Sequence, residues 1–169
     1  SPVCAVVREL PWRDGMCSVA QEVFATTRDA YLTLGLLPED PADTNTADGR
    51  PATREFSHDR LARSICADRT VFTTEEARRA ADAIRDSQVR QITRALHKVM
   101  LQMELQPSTV IVSGQGEFLA RELAHGVLPI ADVVSLTEEL GPAVSQCAPA
   151  HALAVLARAQ PLYTYARAW

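Results

Sequence analysis

The stretch Thr109-Val110-Ile111-Val112-Ser113-Gly114-Gln115-Gly116-Glu117-Phe118-Leu119-Ala120 constrains this chain more than any other. Four consecutive β-branched residues favour a strand, and the glycines that follow permit a tight turn into a helix. Such a turn presents backbone N–H groups at the carboxyl end of a strand, where α/β proteins bind nucleotides, phosphates and other anions. The motif is short. No Gly-Lys-Ser/Thr follows, so it is not a Walker loop, and Leu119 stands where G-x-G-x-x-G needs its third glycine. Two readings follow from the residues: an anion-binding turn, or a bare strand-to-helix connection.

The 169 residues are of single-domain size, and an apolar fraction of 47% is enough for a packed core over 1–169. A net charge of −4 and the absence of a basic tract argue against a nucleic-acid surface. Lys98 is the only lysine among the 17 basic residues, which suggests a GC-rich coding sequence rather than a phosphate-binding design. No apolar run approaches the ~20 residues that span a bilayer, so a cytoplasmic protein with no membrane contact is expected. Cys4, Cys17, Cys66 and Cys147 form no C-x-x-C pair and no Cys/His metal spacing; they are expected to be buried thiols in a reducing compartment.

Val3 to Leu10 is expected to be a strand closed by Pro11 and the Asp14-Gly15 turn. A helical pattern runs from Ser18 through Ala20, Val23, Phe24, Thr27, Tyr31 and Leu34, with Gly35 placed as its C-terminal cap. The polar stretch from Pro38 to Thr53 is long enough for a functional loop. Arg54 to about Cys66 forms a second helix. Thr73-Thr74-Glu75-Glu76 is a capping box that starts the longest helix, about Glu75 to Leu105, with a stripe of Ala77, Ala80, Ile84, Gln88, Ile92, Leu96, Val99 and Met103. After the Gly turn come a short helix stopped by Gly126, a strand near Asp132 to Ser135, and an Ala-rich helix from Gly141-Pro142 to about Gln160. Two strands joined through a helix pair in parallel by default. Five helices against about three strands predict a helix-rich α/β fold with a small, incomplete sheet.

The aspartates of the polar loop do not make an EF-hand: counted from Asp43, position 47 is Ala, the glycine falls one residue late, and the twelfth position is Arg54. Asp43 or Asp48 can still serve a Mg²⁺-phosphate group, which needs only one or two carboxylates, or cap local turns. Arg50 follows Gly49 and can pair bidentately with phosphate or carboxylate. His58, His97, His125 and His151 are scattered, and Ser113 lacks the G-x-S-x-G elbow, so no triad is formed. His151 and Cys147 stand four residues apart, two ligands without a third. Glu117, in the first turn after the glycines, can meet a ribose hydroxyl or a metal, or simply complement the helix dipole.

Several segments taken together carry a family likeness. They are Pro2-Val3-Cys4-Ala5, Glu22 through Tyr31, Pro41-Ala42-Asp43-Thr44, Thr46-Ala47-Asp48-Gly49-Arg50, Cys66-Ala67-Asp68-Arg69, Val112 through Ala120, and Val134 through Ala150. The chain resembles the C-terminal half of the hydantoinase/oxoprolinase-like proteins linked to tetrahydromethanopterin-dependent one-carbon transfer. Archaeal members of that group are methanofuran-biosynthesis synthases that join an aminomethylfuran unit to γ-glutamyltyramine. The resemblance implies the C-terminal part of an actin-like ATPase (RNase H-like) fold, with Ser113, Gly114, Gly116 and Glu117 on the cofactor side of a cleft. Asp43, Asp48 and Arg50 are then the expected substrate-binding residues.

The family's Asp-Gly-type opening strand and its mid-chain phosphate turn are absent here. Mg²⁺ and ATP, or a diphosphate ligand, are accordingly expected to bind mainly through a missing N-terminal lobe. That lobe or a second chain is expected to complete the sheet, with a homodimer as the alternative. The implied activity is a transferase of methanofuran-type cofactor biosynthesis. The rivals are an ATP-dependent hydantoinase/oxoprolinase-like hydrolase, a small-molecule kinase, or a noncatalytic interaction module.

Overall fold

A computed structural model describes residues 1–103 and 106–159. The chain divides into two compact units, Ser1–Arg94 and the residues from Ala95 onward.

The first unit holds α1 (Val3–Val6), the hairpin β1 (Glu9–Trp12) and β2 (Gly15–Ser18), α2 (Thr27–Leu34), α3 (Arg54–Arg63) and most of α4 (Thr74–Met100). The expected strand from Val3 to Leu10 is therefore replaced by one helical turn followed by β1. Val3 and Val6 are both buried, which is the i, i+3 spacing of a helix and not the alternation of a strand. Pro11 does not close the strand; it lies inside β1 opposite Met16, and the turn falls at Arg13-Asp14 between the partners Trp12 and Gly15. Arg13 adopts φ 52°, and its amide donates to Glu76 Oε1 at 3.1 Å. Leu10, Leu61, Phe72 and Ile84 are fully buried, and Val3, Ala30, Ala77 and Ala80 pack into the same core.

The helix expected from Ser18 begins only at Thr27. Thr26 and Asp29 form a capping box, the Asp29 carboxylate accepting from the Thr26 amide at 2.8 Å, which fixes the start. The segment before it runs as a connection, with Val19 and Ala25 buried and Val23 exposed. Gly35 closes α2 with φ 73°, as expected. The Thr73–Glu76 box also forms as read: Thr73 N and Oγ1 donate to Glu76 Oε2, and Glu76 N donates to Thr73 Oγ1. The helix expected to run to about Leu105 ends at Met100, and Leu101 and Gln102 follow as a turn; Leu105 itself lies outside the described residues.

The second unit contains β3 (Thr109–Val112), α5 (Glu117–Val127), β4 (Asp132–Ser135), α6 (Leu136–Leu140), α7 (Pro142–Gln146) and α8 (Ala148–Ala159). β3 and β4 pair in parallel, Thr109 against Asp132 and Val112 against Ser135, as the intervening helix predicted. Met100, Leu128 and Ala131 form a small core with Leu96, Val110 and Val127. The single Ala-rich helix expected from Pro142 is two helices, interrupted at Cys147. Pro149 has no N–H to donate and suits only the first turn, so a new helix starts around it. The expected terminus at Gln160 lies outside the described residues. Ile111 is exposed and α8 buries no residue. Cys66 and Cys147 are exposed, Cys4 and Cys17 half-buried, and all four are free thiols, so the expected buried set is not formed. Cys66 stands in the left-handed region beyond α3, and Cys147 stands at the helix break. No described helix is long and apolar enough to cross a membrane.

Candidate functional site

In the second unit the glycine turn lies at the carboxyl end of β3, beside the end of β4. Gly114 has φ +87°, a conformation that side chains resist, while Gly116 has φ −91° and caps α5. A Cβ at either glycine would meet nothing within 4 Å, so both face open space. Ser113, Gln115 and Gly116 are exposed. Glu117 is not. It is buried and accepts hydrogen bonds from Ser135 Oγ, Thr137 Oγ1 at 2.6 Å and Ser145 Oγ at 2.9 Å. The Gly114 amide donates to Ser145 Oγ at 2.9 Å, so Glu117 fastens the turn through Ser145. The hydroxyls of Ser135 and Thr137 hold the Glu117 carboxyl at a pKa of about 2, against its burial, which acts to raise it. The residue thus acts on the shape of the turn; the open positions are those of Ser113, Gln115 and Gly116.

In the first unit the 38–53 loop is built on short-range aspartate turns. Asp40, Asp43 and Asp48 accept from the amides of Ala42, Asn45 and Arg50, each two residues on. The loop is then fastened by ions. Asp43 pairs with Arg28 at 2.7 Å. Asp48 receives Arg60 Nη1 on Oδ1 at 3.0 Å, and Arg50 Nε and Arg63 Nη1 on Oδ2, each at 2.8 Å. Arg50 continues to Asp59 at 2.9 Å, and Asp59 binds Arg69. Burial raises the Asp48 pKa, but its hydrogen bonds from Arg50, Arg60 and Arg63 hold the carboxyl far below the usual carboxylate range. A carboxylate ringed by three guanidinium groups does not fit a Mg²⁺ ligand, and no reaction step is assigned to a metal there. Among the described residues, no three His, Cys, Asp or Glu side chains gather into a metal-binding group.

The anchor of this network is a residue that the sequence did not single out. Arg60 is fully buried on α3; its Nε donates to Asp29 Oδ1 at 2.7 Å, and its Nη2 donates to Ser57 Oγ at 3.2 Å. The sequence signal was available in part, because Thr26-x-x-Asp29 is itself a capping-box pattern. Ser135-x-x-Glu138 is another, and there Ser135 Oγ accepts from the Glu138 amide while donating to Glu117. Beside the loop network, Arg54, Glu55, His58, Arg69, Thr73 and Thr74 line a cavity of about 530 Å³. His97 and His125 are exposed on their helices, and Glu138 pairs with Arg121 at 2.6 Å.

The parallel strand pair with a glycine turn at its carboxyl end is an α/β arrangement. Residues 11–160 match the hydantoinase/oxoprolinase family model, and the chain belongs to that family. It is 26% identical over 160 residues to the (4-{4-[2-(gamma-L-glutamylamino)ethyl]phenoxymethyl}furan-2-yl)methanamine synthase of Methanocaldococcus jannaschii, a match that covers 95% of this chain and 47% of the relative. It is 23% identical over 158 residues to the synthase of the same name from Methanococcus vannielii, covering 92% of this chain and 70% of that protein. The chain thus spans just under half the length of the first of these relatives.

Proposed function

We propose that this chain is the C-terminal part of a cytoplasmic transferase of methanofuran-type cofactor biosynthesis, serving one-carbon metabolism. The observation that carries the reading is the match to two synthases of one name over more than nine-tenths of the chain. The product named for those relatives contains a phenoxymethyl link to a furan. In the corresponding reaction a phenol oxygen of a γ-glutamyltyramine-like acceptor attacks the methylene carbon of an aminomethylfuran diphosphate. The new C–O ether bond forms, the bond to the diphosphate oxygen breaks, diphosphate leaves with the electron pair, and the phenol proton is released.

The chemistry demands stabilisation of a leaving group that gains negative charge. The open backbone at Ser113, Gln115 and Gly116 fits that demand, with Glu117 holding the turn and the Gly114 amide donated to Ser145. Asp43, Asp48 and Arg50 shape the loop that receives substrate. The remainder of an actin-like fold, an N-terminal lobe, supplies ATP or Mg²⁺ contacts where the reaction uses them and covers the exposed face of β3; a second chain, including another copy of this one, is the alternative cover.

The test uses the full-length protein and the variant Gly116→Ala. Because Gly116 has negative φ and open space over it, the alanine leaves the fold intact and obstructs only a ligand that approaches the backbone. Coupled product from the wild type and weakened furan-diphosphate binding in the variant are expected. ATP turnover with no coupled product would instead favour an ATP-dependent hydrolase or small-molecule kinase; the family's description names hydantoinase and oxoprolinase. A noncatalytic interaction module is the reading that the uncovered α8 favours; neither turnover nor ligand binding by the full-length protein would support it.

A further inference from the structure

We propose that Arg60 is the positioning residue of the 38–53 loop, and that through Asp48 it sets Arg63 to receive an oxyanion of the substrate, a carboxylate or a phosphate. The inference rests on the reading of that loop as substrate-binding.

Loops of this length and polarity are ordinarily mobile, because their backbone has little to bury. This one is tied from beneath. The fully buried Arg60 reaches Asp29 on α2 and Ser57 on its own helix, and extends Nη1 to the carboxylate of Asp48. A buried guanidinium is costly to desolvate and is kept only where carboxylates satisfy it. Its two carboxylate partners come from α2 and from the loop, so its fork fixes one against the other.

The second oxygen of Asp48 is met by Arg50 and Arg63. These two guanidinium groups differ. Arg50 is held twice, by Asp48 and by Asp59, and its guanidinium lies 4.7 Å from the centre of the Phe56 ring. Arg63 meets Asp48 through Nη1, and 43% of its side chain is exposed. It stands one helical turn from Arg60 on α3. Arg50 is therefore part of the frame, and Arg63 is the cation that the frame presents to solvent. A guanidinium fixed at one nitrogen and open at its other edge suits a carboxylate or phosphate oxyanion, which it binds with paired N–H groups. In the proposed reaction that oxyanion belongs either to the glutamyl head of the acceptor or to the diphosphate of the donor.

The experiment compares Asp48→Asn, Arg60→Lys and Arg63→Gln in the full-length protein by hydrogen exchange of the loop amides and by KM and kcat for each substrate. Asp48→Asn leaves Arg60 paired with Asp29, so it keeps the test open if Arg60→Lys fails to fold. Asp48→Asn is expected to speed exchange at Asn45 and Arg50 by about tenfold or more and to leave α4 protected. It and Arg63→Gln are both expected to raise the KM of the same one substrate by about tenfold, with kcat little changed. Arg63→Gln is expected to leave loop exchange as in the wild type. A raised KM for γ-glutamyltyramine identifies the carboxylate, and a raised KM for the furan diphosphate identifies the phosphate. Unchanged loop exchange in Asp48→Asn would overturn the positioning role. Faster exchange with both KM values unchanged would overturn substrate recognition by this loop and leave the transferase reading standing. A wild type with no synthase turnover would remove that reading, and the exchange result would still decide whether Arg60 and Asp48 order the loop.

Discussion

Two buried ionic groups, Arg60 and Glu117, do at the residue scale what neither could do in solvent. Each is satisfied by side chains from separate elements, so each converts a local choice of residue into a fixed position for a turn or loop. Replacing Arg60 with Met leaves Asp29 buried without its guanidinium, and denaturant unfolding is expected to show a loss of about 3–5 kcal/mol. A loss below about 1 kcal/mol would mean that Asp29 is satisfied without it. Glu117 yields a pH prediction. Its pKa falls from 4.5 in the unfolded reference to about 2 when folded, so its contribution is fully present above pH 4.5. That contribution is lost as pH falls through the interval toward 2. In Glu117→Gln the acid-dependent loss of protection at Gly114 and Ser145 is expected to disappear, as read by hydrogen exchange between those pH values. An unchanged acid profile would assign it to other carboxylates.

At the scale of elements, the parts that were legible in the sequence had their determinants close together. Thr73 and Glu76 announce the start of α4, Gly35 announces the end of α2, and the β-branched Thr109–Val112 announces β3; all three need only neighbours. Val3–Val6 was not legible because a short apolar run serves a strand or a helical turn equally, and burial of the i, i+3 pair chose the latter. The start of α2 was hidden because apolar spacing continues upstream of Thr26, although Asp29 carries the cap. The loop residues Asp43, Asp48 and Arg50 were visible as a polar cluster. Their α3 partners Arg60, Arg63 and Asp59 were not, because pairing between loop and helix is a tertiary fact that no local pattern encodes. Gly35→Ala offers a test at this scale: the alanine must adopt φ +73°, and its Cβ would lie 3.0 Å from Arg54 Nη2. A destabilisation of about 1–2 kcal/mol is expected by thermal or chemical unfolding; stability equal to the wild type would show that α2 ends without the left-handed cap.

For the molecule as a whole, the second unit leaves more apolar surface in solvent than its small core accounts for. Ile111 is 65% exposed on β3, and Leu153, Val155 and Leu156 are half exposed or more on α8. A helix apolar on all sides is ordinarily buried, and a two-stranded parallel sheet is ordinarily covered on both faces. The 169-residue chain alone is therefore expected to self-associate in light scattering behind size exclusion, and Leu153→Asp is expected to reduce that association. A cooperatively unfolding monomer would show that these faces need no cover.

Under the proposed transferase reading, the whole protein couples two substrates with loss of diphosphate. The most direct measurement is the stoichiometry of release by the full-length protein, supplied with the furan diphosphate and increasing γ-glutamyltyramine. Diphosphate is expected to appear only with acceptor present, one for each ether product formed, with no consumption of ATP in step with it. Phosphate released from ATP at a rate indifferent to the acceptor, with no ether product, would contradict that reading.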